Sequence, residues 1–96
     1  FRTLFAGTPV KRTGRDRFLR NVLIAIGNSG RTELIDSALP HLADPSPLVR
    51  AMAVWALGRL DAERGRQLAI AHLADEIDPQ VRAEWHALTP QTEDAA

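Results

Sequence analysis

No cysteine occurs in the 96-residue chain. Disulfides, thiolate metal sites and cysteine nucleophiles are therefore excluded, and cysteine usage does not report a redox compartment. Long apolar runs are missing too: the longest, Val22 to Ile26, is far too short to span a bilayer. No signal-peptide pattern opens the chain. No glycine-rich loop leads into a helix to cradle phosphate, because Gly27-Asn28-Ser29-Gly30 closes a helix instead. Nucleophile patterns are equally sparse. His86 has no Ser or carboxylate at triad spacing, and Ser29, Ser37 and Ser46 read as turn, cap and surface residues. His41 and His72 have no third ligand nearby for a metal. Asp75 and Glu76 look like a solvated helix end and not an acid/base couple. The expectation is no catalytic and no metal-binding residue.

Net charge is also absent, but the zero total hides a split. Residues 1–31 hold seven Lys/Arg against one Asp, and residues 32–96 hold five Arg against eleven Asp/Glu. Such a division predicts a polarised surface whose basic end attracts a polyanion. Lys11, Arg12, Arg15, Arg17 and Arg20 fall within ten residues, opposed only by Asp16. Arg17, Asn21 and Asn28, at spacings of four and seven, share a helix face beside Arg20. Arg and Asn together suit phosphate oxygens, with some capacity for sugar or base edges.

The length predicts one domain, residues 1–91, with a frayed acidic tail over 92–96. Phe1 in place of Met suggests a piece of a longer protein. Phe1, Leu4 and Phe5 fit the end of a truncated helix, and Gly7, Pro9 and Gly14 predict a loop to about Thr13. A helix is expected over 15–28, with Phe18, Leu19, Val22, Leu23 and Ile26 buried. Thr32 then caps a second helix to about Ala43, kinked by Pro40. Ser46 caps a third, with Pro47 at its first position, burying Val49, Met52, Ala53, Ala56, Leu57 and Leu60. Asp61 caps a fourth to about Ala74, and Asp78-Pro79 opens a fifth that Pro90 ends. Trp55 and Trp85 are expected in the core and not as base-stacking platforms.

An internal repeat ties these helices together. Ala38-Leu39-Pro40-His41-Leu42-Ala43-Asp44 matches Ala69-Ile70-Ala71-His72-Leu73-Ala74-Asp75 at an offset of 31. Pro47, Val49, Arg50 and Ala51 match Pro79, Val81, Arg82 and Ala83 at 32, while Ala25-Ile26-Gly27 matches Ala56-Leu57-Gly58 at 31. Units of about thirty residues bury their apolar faces only by stacking. The spacing of Asp44, Pro47, Val49, Arg50 and Ala53 resembles the HEAT repeat. The expected fold is all-α, a HEAT-like α-α superhelix of about two and a half helix-turn-helix units. Pro47, Arg50, Pro79 and Arg82 are its structural repeat positions, the arginines pairing with turn carboxylates between units.

The run from Gly7 to Gly30 is also similar to a segment near the C-terminus of the tRNA epoxyqueuosine reductases. Asp44 to Leu57 resembles that family's terminal repeats. The resemblance implies a cytoplasmic parent enzyme in queuosine biosynthesis that uses cobalamin and two iron–sulfur clusters. No cofactor is expected in these residues, because clusters need Cys ligands. Within such a parent the repeats are non-catalytic: they pack on the upstream catalytic domain and help hold the tRNA anticodon arm. Lys11, Arg12, Arg15, Arg17, Arg20, Asn21 and Asn28 match the motif and are candidates to face RNA or that domain. The alternatives are a HEAT module that grips another protein and has no nucleic-acid role, and a free-standing enzyme.

Overall fold

The computed structural model describes residues 9–89, of which 9–13 by backbone alone. Expectations for Phe1 to Thr8, for Pro90 and for the tail lie outside the described residues. Five helices are present among those described, α1 (Pro9–Asn28), α2 (Ile35–Ala38), α3 (Pro47–Leu60), α4 (Ala62–Leu73) and α5 (Pro79–Leu88), with no strand. The all-α fold is as expected.

The cap signals explain where the later helices begin. Ser46 Oγ accepts from Val49 N–H, with Pro47 at the first helical position. Asp61 closes α3 through its N–H to Leu57 C=O and opens α4 by accepting from Arg64 N–H. A single residue thus reverses the chain. Asp78 accepts from both Gln80 and Val81 N–H at the start of α5.

Two expectations about helix bounds fail. The loop predicted to Thr13 is helical from Pro9, so Lys11 and Arg12 lie on a helix and not on a loop. Proline suits a first helical turn. Gly14 is tolerated because it faces open space, where an added Cβ meets nothing. Gly14→Ala is accordingly expected to stabilise the fold by about 0.5–1 kcal/mol, seen as a raised thermal midpoint. The second failure is the helix over 32–43. It breaks into a 3-10 turn Thr32–Leu34, the single turn of α2, and a 3-10 segment Leu39–Ala43. Pro40 has no N–H for the carbonyl four residues back and its ring crowds that carbonyl, so tighter turns replace the α-helix. Thr32 makes no cap, since Arg31 stands at that position without a side-chain bond.

α1, α3 and α5 form one layer, while the 32–43 segment and α4 form the other. Two clusters make the core. Leu23 and Ile26 of α1 pack with Ala38, Val49, Ala53 and Ala56; Ile35, Ala51, Val54, Leu57 and Ala69 pack with Val81 and Trp85. Leu19, Val22, Met52, Trp55 and Leu60, expected inside, are only half-buried. Phe18 is a plain miss, at 66% exposed. Close approach falls at matched glycines. A Cβ on Gly27 would strike Trp55, and one on Gly58 would strike Leu88. These contacts join like ends, so α1, α3 and α5 run parallel. Gly30, at φ 71°, ends α1 in the left-handed region.

Arginines then clasp successive units. Arg50 donates from Nη1 to the carbonyls of Asp44 and Pro45 in its own turn, and from Nε and Nη2 to both oxygens of Glu76 in the next. Arg82 repeats the first half, donating to the carbonyls of Leu73 and Glu76. The expected carboxylate pairing holds for Arg50; Arg82 uses carbonyls.

Candidate nucleic-acid interface

α1 is a long helix whose faces have different neighbours. With 100° per residue, Leu23, Ile26 and Gly27 point inward, and all three are buried. Arg17, Asn21 and Asn28 point the opposite way and are exposed. The repeat offset of 31 matches Arg17, Asn21, Ile24 and Asn28 with Leu48, Met52, Trp55 and Arg59 of α3. Those four form one stripe of α3, half-buried except for Arg59, which is exposed. Both stripes therefore belong to the same outer face of the α1–α3–α5 layer. A direct contact joins them: Arg59 Nη2 donates to Asn28 Oδ1 at 3.4 Å. The Arg59 guanidinium also lies 5.6 Å from the Trp55 ring centroid, a cation–π contact.

The basic cluster read from sequence is divided by this geometry. Arg17, Asn21 and Asn28 remain together. Arg20 lies at the α3 side of the face, half-buried, donating from Nη2 to Asn21 Oδ1 at 3.2 Å. Its Nε is shut off from solvent without an acceptor among the described residues. Arg15 is turned elsewhere. It forks onto the carboxylate of Asp44 and also pairs with Asp16, so it serves as a clasp between units. The side chains of Lys11 and Arg12 lie outside the described residues. One cation was missed by counting along the chain, namely Arg59. Its signal was present, since it stands 31 residues after Asn28, one repeat away.

Charge balance separates these arginines. Arg17, Arg20 and Arg59, like Arg64 and Arg82, have no carboxylate partner among the described residues, whereas Arg31, Arg50 and Arg66 each have one and Arg15 has two. Burial alone would raise the Asp44 carboxyl. Hydrogen bonds from Arg15 and from Ser46 N–H outweigh it and hold the group below its usual range. The same bond to Asp44 raises Arg15 further above its already high value. Arg15 is therefore a committed ion-pair partner. At the far end of the layer, desolvation pushes the Glu84 carboxyl up. Glu84 matches Met52 at the offset of 32, so the outer face runs from basic to apolar to a single reluctant carboxylate.

Among the described residues no group of three His, Cys, Asp or Glu is placed to hold a metal ion. His72 is instead stacked on Trp85, ring centroids 5.0 Å apart. Nor is any helix among them long and apolar enough to cross a membrane.

Similarity to known proteins agrees with the repeat. The chain is 39% identical over 54 residues to the epoxyqueuosine reductase of Xanthomonas campestris pv. campestris, covering 55% of this chain and 15% of that one. It is 36% identical over 67 residues to the epoxyqueuosine reductase of Alicycliphilus denitrificans, 62% of this chain and 19% of that one. The epoxyqueuosine reductase of Pseudomonas aeruginosa is 37% identical over 54 residues, covering 55% and 15%. The chain thus spans less than a fifth of the length of these curated relatives. No solved structure matches it. The family model for HEAT repeats matches residues 11–89. With its clasped helix pairs and matched glycine crossings, the chain belongs to the HEAT-repeat family.

Proposed function

We propose that the outer face of α1 and α3 seats the phosphate backbone of an RNA. The RNA would be the anticodon arm of a tRNA, and the chain would be the non-catalytic binding end of an epoxyqueuosine reductase. The observation that carries this reading is a set of three arginines, Arg17, Arg20 and Arg59, gathered with Asn21 and Asn28 on one face without carboxylate partners among the described residues. Stacked helices present such groups rigidly, which suits recognition of a folded RNA by shape and backbone. The similarity to epoxyqueuosine reductases supports this choice of substrate class. In this reading the reductive chemistry, with cobalamin and two iron–sulfur clusters, belongs to an upstream catalytic domain in the cytoplasm. These 96 residues offer no Cys to ligate a cluster, and no step is assigned to them.

A labelled anticodon stem-loop, titrated by fluorescence anisotropy over a range of salt, tests the proposal. It is measured on residues 1–96 and on the chain joined to its catalytic part. Affinity should fall steeply with salt, and Arg17→Glu should weaken binding about tenfold while flattening the salt slope by about one. Affinity indifferent to salt and to Arg17→Glu would overturn it. That outcome would favour the protein-binding reading, for which Leu48, Met52 and Trp55 at the centre of the face provide apolar contacts.

A further inference from the structure

The exposure of Phe18 has a simple explanation in the repeat. At an offset of 31, Phe18, Val22 and Ala25 of α1 match Val49, Ala53 and Ala56 of α3. All three of the latter are buried, clustered with Leu23 and Ile26 of the preceding helix in the layer and with Ala38 of α2. At a further 32, Val81 and Trp85 hold the same positions in α5, and both are buried in a cluster with Ala51 and Val54 of α3. This stripe is therefore how each helix of the layer sits on the one before it. In α1 the stripe remains apolar, yet Phe18 and Ala25 are exposed and Val22 is half-buried.

The other end of the layer is different. The positions by which α3 receives α5 include Ala51 and Val54, and their counterparts on α5 are Ala83 and His86, both exposed. That end carries a small and a polar residue, where the α1 stripe is apolar. The two faces of α1 are also separate: Phe18, Val22 and Ala25 lie about a quarter-turn from Arg17, Asn21 and Asn28.

We infer that the stripe Phe18, Val22, Ala25 is the seat of one more helix of the same polypeptide. It runs parallel to α1 and is the second helix of a preceding HEAT-like unit. Its inner face should repeat what α1 offers α3, an apolar pair like Leu23 and Ile26 followed by a small residue like Gly27. More than four-fifths of each curated relative lies outside the matched segment, which leaves room for such a helix. A second copy of this chain fits less well, because the parallel packing of the layer would need a receiving face like that of α1 or α3, and α5 presents Ala83 and His86. The inference shares with the proposed function the reading that the chain continues upstream, and it does not depend on RNA.

The test compares Phe18→Asp in residues 1–96 with the same change in the natural polypeptide extended upstream by one unit, about thirty residues. Thermal unfolding should shift by only a degree or two in the shorter chain and fall by about 10 °C in the longer one. Ile70→Asp, at an exposed site on α4, should leave both unchanged. Equal, small shifts in both lengths would overturn the inference. So would a concentration-dependent dimer of residues 1–96 that Phe18→Asp abolishes, since the occupant would then be a second copy. Unfolding is read without RNA, so anticodon binding can survive a failure here, and the seat can survive a failure of Arg17→Glu.

Discussion

Trp85→Ala is expected to remove about half of the chain's folding stability. Trp85 is 1% exposed and the largest fully buried side chain. It lies where α5 meets α3 and α4, clustered with Ala51, Val54, Leu57, Ala69 and Val81. It also carries the stacked ring of His72 at 5.0 Å, which ties the end of α4 to the third unit's second helix. Truncating a buried Trp costs about 3–5 kcal/mol, the lost transfer energy together with the cavity. A domain of this size has only about 5–10 kcal/mol to lose. The expected fall in midpoint is about 15 °C or more by circular dichroism. Trp85→Phe keeps most of the volume and should cost far less. Trp55→Ala is the internal control. Trp55 is half-buried at the outer face against Gly27 and beneath Arg59, so its removal should cost roughly half as much. An equal loss for the two tryptophans would refute this picture of the core.

Much of this architecture was legible because its signals are local. Ser46 with Pro47, Asp61, and Asp78 with Pro79 announce helix starts through bonds made within three residues. The repeat could be read by aligning the chain with itself, and it later identified Arg59 and explained Phe18. What stayed hidden depends on neighbours that periodicity does not name. The apolar stripe of α1 has the right spacing at Phe18, but spacing says nothing about whether a helix lies over it. Arg15 looked like one of a row of cations until the turn at Asp44 was folded against it. Pro9 and Gly14 read as loop punctuation because both are rare in helices. One stands at a first turn and the other in open space, where their usual costs are small. The breakup of residues 32–43 follows from Pro40, whose presence predicts a defect without saying whether it will be a kink or a series of 3-10 turns.

Arg50→Met should produce the next largest loss, about 2–4 kcal/mol at neutral pH, with a pH dependence that identifies its cause. The Arg50 and Glu76 side chains are 18% and 10% exposed. Removing the cation strands a largely buried carboxylate, which costs more than the pair itself contributes. Burial alone would raise the Glu76 carboxyl. The two bonds from Arg50 and the N–H groups of Asp78 and Ile77 outweigh it, so the group titrates below its ordinary value of 4.5. A carboxylate depressed in the folded state contributes its full stability above that ordinary value. The contribution is lost as pH falls through the lower, folded one. Parent stability should therefore decline on acidification below about pH 4.5, whereas Arg50→Met, already lacking the pair, should decline less. The gap between them is widest near neutrality and narrows in acid. Adding Glu76→Gln to Arg50→Met removes the stranded charge while leaving an oxygen for Asp78 N–H, and should restore part of the loss. A coupling of about 1–3 kcal/mol in that cycle is expected. Additive single changes, or a gap that does not vary with pH, would mean that the clasp holds its units together by packing alone.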